Sequence, residues 1–279
     1  MSKEKVVLEE KKPMMTAKEE ISNYTAKAQK ALTLFEDYTQ EQVDHIVHEM
    51  ALAAMEQHMP LAKTAVEETG RGVYEDKCIK NMYAAENIWH SIRKNKTVGI
   101  IEDNKVDQIM KVAAPVGVVA GIIPTTNPTS TTIFKAMICM KTRNPIIFSF
   151  HPSAEKCSAA TAKVVYDAAI KAGAPADCIQ WVEGVSMEKT AELINHPEVA
   201  VVLATGGAAM VKAAYSTGKP ALGVGPGNVP AYIEKSANIK RAVNDIIVSK
   251  TFDNGMICAS EQAAIVDSEI YDEVKKEFQ

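Results

Sequence analysis

The chain has 279 residues, 47% hydrophobic and 24% charged, with a formal net charge of −4 and an isoelectric point near 5.9. That composition excludes disordered, collagen-like and coiled-coil classes and leaves room for one or two domains of about 100–200 residues. The mild acidity argues against nucleic acid or an anionic membrane as the main partner, while a local basic groove stays open.

Residues 1–13 read as a charged, loose leader ending at Pro13, too polar for a signal-peptide core. Residues 14–95 form a helical part. Thr39 and Gln42 have capping-box spacing, and Val43, Ile46, Val47, Met50, Ala54 and Met55 recur behind them at helical spacing. Gly70 and Gly72 punctuate the pattern, and a further helix is predicted over roughly 75–94. A free-standing helical bundle is the alternative, weakened by the alternation of apolar runs and helical stretches beyond residue 115. Residues 97–112 read as two short strands, TVGIIE and VDQIMKV, around an Asp103-Asn104-Lys105 turn. Such a hairpin is either an edge for self-association or a plain surface feature.

From 115 the pattern changes. Apolar runs at 116–123, 145–150, 178–182 and 199–204 alternate with helical stretches from about 129, then 153–172, 187–195 and 207–217. Ser153 is placed at a helix start and Gly173 at its end, with Pro175 following. Strand–helix alternation with continuous apolar strands implies an α/β fold, a parallel sheet with helices on both faces. No apolar run reaches the ~18 residues that would indicate a membrane helix, and no membrane partner is expected.

Ligands of open α/β sheets bind beyond the carboxyl ends of the strands. That rule selects 123–129, 151–156, 183–186 and 204–210. Polar groups or glycines at a helix entrance suit phosphate; any one of these segments alone reads as an ordinary connection, while the four in order favour a nucleotide site. No G-x-G-x-x-G opens a helix after a strand. Gly223-Val224-Gly225-Pro226-Gly227 is followed by Asn228-Val229-Pro230 and is read as an irregular loop, while Gly117 and Gly121 permit close packing within a strand.

Five cysteines stand at 78, 139, 157, 178 and 258, an odd number with no Cys-x-x-Cys pair. This reads as a reduced, cytoplasmic protein. Cys258 lies in SKTFDNGMICASEQ, where Asn254-Gly255 is a strong turn signal. A cysteine on such a tight loop is either a nucleophile or an inert thiol, and chemistry alone favours the inert reading. The other four read as packing. His45 and His48 lack a third metal ligand and read as a solvated pair rather than a metal site.

IIPTTNPTSTTIFKA, HPSAEKC, LATGGAAMVKAAYSTGKPALGVGPGN and SKTFDNGMICASEQ closely resemble the coenzyme A-acylating aldehyde dehydrogenases. They are most similar to the aldehyde dehydrogenase part of bacterial bifunctional aldehyde–alcohol dehydrogenases, over nearly the whole chain. The resemblance implies a Rossmann-type, NAD-binding domain over 1–250, comprising the helical part, the hairpin and a parallel α/β unit over 115–250. It implies that 251–279 begins a catalytic domain carrying the nucleophile. Cys258 would attack the aldehyde, hydride would pass to NAD, and the thioester would be transferred to coenzyme A, reversibly. Asn127 matches the family's oxyanion asparagine, with the Cys258 N–H as second donor. The cofactor set carried over is Pro124, Thr125, Thr126, His151, Pro152, Gly184, Thr205, Gly206, Gly207, Gly223, Val224 and Gly225. His151 stands where hydrolytic relatives carry a ribose-binding lysine, and Ala154 where they often carry a glutamate.

Hydrolytic relatives place a general-base glutamate ahead of the cysteine. Here that stretch reads Ala221-Leu222-Gly223-Val224-Gly225, with Gly223 at or near the glutamate position. Without a carboxylate, deacylation by water should be slow, whereas a thiol needs less activation. Two other readings are a hydrolytic or phosphorylating enzyme on the same fold and a non-catalytic nucleotide-binding or assembly fragment. The family's catalytic domain needs more chain than follows Cys258, so the sequence reads as cut at Gln279, with an isolated chain of weak NAD binding and little turnover. A homo-oligomer, dimer or filament, is expected of the full-length parent.

Overall fold

The computed structural model describes residues 15–279, so the leader expected over 1–13 lies outside the described residues. Helix α1 (Ala17–Phe35) opens with a capping box that links Thr16 and Glu19. Helix α2 (Gln40–Glu56) opens with the expected one, in which Thr39 Oγ1 accepts from the Gln42 N–H at 3.3 Å and Gln42 Oε1 accepts from the Thr39 N–H at 2.8 Å. Helix α3 (His58–Thr69) ends at Gly70 in the left-handed conformation (φ 63°). Helix α4 (Tyr74–Met82) continues through a π turn (Tyr83–Asn87) into α5 (Ile88–Ile92).

Strands β1 (Gly99–Asn104) and β2 (Ile109–Ala113) form the antiparallel hairpin. Its turn lies at 105–108, beyond the expected Asp103–Lys105. The cause is Asn104, whose Oδ1 accepts from the N–H groups of Val106 and Asp107, both at 3.0 Å. Ile100, Ile101, Ile109, Met110 and Val112 are exposed on this ribbon.

The main sheet then alternates with helices: β3 (Val118–Ile122), α6 (Pro128–Lys141), β4 (Ile146–Ser149), α7 (Glu155–Lys171), β5 (Ile179–Trp181), α8 (Met187–Asn195), β6 (Val199–Thr205), α9 (Ala208–Tyr215) and β7 (Ala221–Val224). All five strands are parallel, in the order β5-β4-β3-β6-β7. Strand β3 is buried throughout. Its Val119 packs with Ile133, Met137, Ile146 and Phe148 against α2, α6 and α7. Val118, Ala120 and Ile122 face the other way, toward Ile21 of α1, Leu193 of α8 and Ala214 of α9. This period-two division produces the two covered faces. Gly121 permits the expected close packing, since a Cβ there would stand 2.8 Å from both Ile146 and Phe148.

Two local expectations change. The helix placed from Ser153 starts at Glu155, because Pro152–Ala154 forms a 3-10 turn capped by the His151 ring. Residues 221–224 are not irregular: they add β7 to the sheet through pairing with β6, and only 225–228 are loop.

The last part of the chain forms a separate layer. Strand β8 (Val229–Ile233) pairs in parallel with β9 (Glu261–Val266), with α10 (Ile239–Thr251) between them and α11 (Tyr271–Glu277) after. Ile233, Val243 and Val274 form its own small core. The change of sheet therefore comes at Val229, and the expected boundary at 250 falls inside α10. No helix among the described residues is long and apolar enough to cross a membrane.

Candidate functional site

The sheet order reverses beside β3: β4 lies on one side and β6 on the other. The connections leaving β3 and β6 therefore diverge and open a crevice at the carboxyl ends of the strands. A cavity of about 390 Å³ fills it. Pro124 to Asn127 line it from the β3 loop, His151 from the β4 loop, and Thr205, Gly206 and Gly207 from the β6 loop. Val224 and Gly225 close the far side, and Cys258 and Gln262 the rim.

The four segments selected by the strand-end rule are not equivalent. At 151–156 the first-turn N–H groups of α7 are already taken: Glu68 accepts from Lys156 at 2.9 Å and from Cys157 at 2.6 Å. Burial raises the Glu68 carboxyl, but these donors outweigh it and hold it below the ordinary value. At 183–186 Ser186 caps α8 through the Lys189 N–H at 3.1 Å. At 123–129 helix α6 opens on Asn127 and Pro128 without a side-chain cap. At 204–210 helix α9 likewise opens on the cavity with free first-turn donors, because Gly207 at its start supplies no side chain to cap them, and unlike α6 it has no proline in that turn.

Cys258 is exposed, so the expectation that this thiol is buried does not hold. The other four cysteines are buried. Burial pushes the thiols of Cys139, Cys157 and Cys178 up to about 12 and raises Cys78 as well. The Cys258 loop begins with a 3-10 turn (Phe252–Gly255), in which Asp253 (φ 50°), Asn254 (φ 53°) and Gly255 (φ 71°) are all left-handed. For the first two residues this conformation costs about 1–2 kcal/mol each.

What holds the loop is the Asp253 carboxylate, which is fully buried. Its Oδ1 accepts from the Val73 N–H at 2.7 Å, and its Oδ2 from Lys77 Nζ at 3.0 Å and from Lys80 Nζ. Its own N–H donates to Asp76 Oδ2 at 2.7 Å. Lys80 also donates to the Met256 carbonyl at 2.9 Å and to Asn127 Oδ1 at 2.7 Å. Burial pushes Lys80 down to about 8, opposed by Asp253. Glycine at 227 lets the following loop pass directly against the Cys258 carbonyl, and Gly72 leaves room for the Asp253 carboxylate.

A second cavity, of about 550 Å³, lies on the helical side of the thiol. Its wall is largely apolar: Ile79, Tyr83, Phe134, Phe252 and Ile257. The two cavities share Asn127, Thr205, Ile257 and Cys258. The π turn places Tyr83 and Ala84 on this wall, a common use of such bulges.

Of the residues carried over from the resemblance, Pro124, Thr125, Thr126, Asn127, His151, Thr205, Gly206, Gly207, Val224, Gly225 and Cys258 line one space. Pro152, Gly184 and Gly223 do not. Pro152 is exposed at the start of its 3-10 turn. Gly184 donates to Glu155 Oε1 at 2.7 Å, beyond β5 at the sheet's edge. A side chain at Gly223 would run into Val211 and Tyr215 of α9 rather than enter the cavity. Ala154 packs with Ala65 and Cys157 in a buried cluster and presents nothing to the crevice. Lys77, Lys80 and Asp253 escaped the sequence reading, as did the close approach of Gly227 to Cys258. A faint signal existed: Lys77, Lys80, Asn81 and Ala84 share one helical face, with polar residues at core-like spacing.

Residues 10–279 match the model of the aldehyde dehydrogenase family. The chain is 61% identical over 266 residues to aldehyde-alcohol dehydrogenase 2 of Entamoeba histolytica, which covers 95% of this chain and 31% of that protein. It is similar to the crystal structure of an acetylating aldehyde dehydrogenase from Geobacillus thermoglucosidasius (TM-score 0.89, 53% identity, 94% of this chain and 58% of that one). It is also similar to a Rhodopseudomonas palustris propionaldehyde dehydrogenase with bound propionyl-CoA (TM-score 0.80, 32% identity, 92% and 57%). The chain thus spans about a third of the first relative and under two thirds of the two solved chains.

Proposed function

The chain belongs to the aldehyde dehydrogenase family, and from that premise we propose that it carries the nucleophile and the dinucleotide site of a coenzyme A-acylating aldehyde dehydrogenase. Acetaldehyde is the proposed substrate and NAD the proposed hydride acceptor. The crevice fits such a dinucleotide: the uncapped N-terminus of α9 offers N–H donors to a pyrophosphate, and the space where a Cβ of Gly207 would project is open. Thr205, Gly206 and Gly207 would hold the pyrophosphate. Pro124, Thr125 and Thr126 would line the nicotinamide side, with His151 beside the ribose. When bound there, the cofactor supplies hydride acceptance.

The remaining chemistry falls to the chain's own residues. Cys258, as thiolate, attacks the carbonyl carbon, the C–S bond forms, and the carbonyl oxygen takes up the charge. The Asn127 amide and the Cys258 N–H stabilise that oxygen. The apolar cavity takes the alkyl side of the aldehyde. Once the carbon is oxidised, a thioester links the acyl group to Cys258. The thiol of coenzyme A, as co-substrate, takes the acyl group and Cys258 leaves as thiolate. The sequence of steps is reversible.

The observation that carries this reading over a hydrolytic one is the lining of the two cavities. Among the described residues neither contains an Asp or Glu. Water has no carboxylate base there, whereas a thiol needs less help. The test is aldehyde-dependent NAD reduction by the purified protein with and without coenzyme A. Acyl-CoA as product is expected, and CoA-independent acid formation at a comparable rate would overturn the proposal. Cys258→Ala should abolish acyl transfer and retain dinucleotide binding. We further propose self-association through the apolar hairpin, which sedimentation of the protein tests.

A further inference from the structure

The Lys80 ammonium has no role in the steps above, yet each of its three N–H donors is matched. They go to Asn127 Oδ1 at 2.7 Å, to the Met256 carbonyl at 2.9 Å and to Asp253 Oδ2. An ammonium donates and never accepts. The oxygen of the Asn127 amide must therefore face Lys80, and its nitrogen must face away.

Among the described residues no other neighbour makes that choice. The Asn127 side chain forms no cap bond to α6, so no backbone N–H selects an orientation. Its Nδ2 donates to Thr126 Oγ1 at 3.0 Å, but a hydroxyl serves either orientation, as acceptor or as donor. Remove Lys80, and the amide oxygen and nitrogen become nearly interchangeable. A cation on the oxygen also polarises the amide and strengthens its remaining N–H as a donor. The Lys80 nitrogen also binds the carbonyl of Met256, two residues before Cys258, and so ties the amide to the nucleophile loop.

We propose that Lys80 is a positioning residue that turns the Asn127 N–H toward the carbonyl oxygen of the substrate attacked by Cys258. The proposal rests on the roles given above to Cys258 and Asn127.

Two reactions of the Cys258 thiol isolate this role from a merely structural one. Acylation by p-nitrophenyl acetate passes through a tetrahedral oxyanion, whereas alkylation by iodoacetamide is a displacement at saturated carbon with no oxyanion. In the purified chain Lys80→Met should slow acylation about 100-fold, the usual cost of one oxyanion donor, and leave alkylation near the wild-type rate. Asn127→Ala should show the same ratio, and the double variant should lose little more. Lys80→Arg should restore part of the acylation rate. Equal slowing of both reactions by Lys80→Met overturns the proposal. So does unchanged acylation in Lys80→Met while Asn127→Ala is slow. A wild-type Cys258 that no ester acylates, or normal acylation in Asn127→Ala, overturns the functional reading and the proposal with it. Where Lys80→Met does not fold, Lys80→Gln replaces it. Its amide can donate or accept, so it no longer selects an orientation, and it is read by the same ratio.

Discussion

Gly227→Ala gives the sharpest test of how Cys258, the proposed nucleophile, is held. A Cβ built on Gly227 would stand 1.8 Å from the carbonyl oxygen of Cys258 and 2.9 Å from its carbonyl carbon. Reaching ordinary van der Waals contact at 3.4 Å requires the two loops to separate by about 1.6 Å. Gly227 is not among the residues with positive φ, so the substitution acts through space alone. Neither partner is the free end of a flexible side chain; both are backbone. Loop 225–228 or loop 256–260 must move, and with the second goes the Cys258 thiol. A misplacement of about 1 Å can cost about 100-fold in rate. We therefore expect Gly227→Ala to lower the acylation rate of Cys258 by about 100-fold or more while the thermal midpoint changes little. The assay is stopped-flow acylation by p-nitrophenyl acetate, with calorimetry on the same sample. Acylation at the wild-type rate would refute the reasoning. Slow acylation accompanied by general loss of stability would refute the claim that the effect is local.

Three further outcomes are expected in other parts of the molecule. Lys135 donates to the carbonyls of Ile122 and Leu203, both at 2.7 Å, and burial pushes it down to about 7, with Cys139 opposing. The unfolded chain then binds a proton that the folded chain has lost, so stability should rise with pH above about 7, by about 1.4 kcal/mol per pH unit at most. Urea titrations between pH 7 and 8.5 should show a shallower rise in Lys135→Met, and equal slopes would contradict the assignment. A thiol reagent near pH 8 should label Cys258 quickly and the four buried cysteines only on unfolding; peptide mapping that finds early label on Cys139 or Cys178 would count against it. Gly72→Ala, at φ 78° and with its Cβ 2.7 Å from the Asp253 Cγ, should cost about 2 kcal/mol or more, and a urea midpoint equal to wild type would show that the Asp253 pocket is looser than its contacts imply.

Much of this was legible in the sequence because the signals are local. The Thr39–Gln42 cap, the apolar runs of β3, β4, β5 and β6, and the turn around Asn254-Gly255 each depend on residues a few positions apart. The crevice loops at 123–129, 151–156 and 204–210 followed from the strand-end rule, which also selected 183–186, outside the crevice lining. What was not legible depends on closure in three dimensions. Gly223 belongs to a motif in sequence, yet its free face points at Tyr215. Ala154 stands, by resemblance, where relatives often carry a glutamate, yet it is buried against Ala65. Lys77 and Lys80 belong to no motif in the sequence, and only the return of the chain at Asp253 shows why they can be buried. The hairpin turn moved because the Asn104 side chain, not the polar run as a whole, closes it.

The Asp253 cluster also bears on what the helical N-terminal part is for. A buried carboxylate with two lysines is weak evidence of stabilisation, because desolvation offsets most of the attraction. Its value here is geometric. The Cys258 loop runs through three consecutive left-handed residues and would relax if left alone. The atoms that hold it are Lys77, Lys80 and the N–H of Val73, from helix α4 and the turn before it, some 170 residues earlier in the chain. Lys80 reaches Asn127 in the crevice as well, so one side chain joins α4, the β3 loop and the Cys258 loop. Helix α4 and its π turn also form a wall of the apolar cavity. The helical part therefore does more than cover the sheet. It fixes the loop that carries the thiol and the amide that faces it, which the parallel sheet alone cannot do from the far side of the crevice.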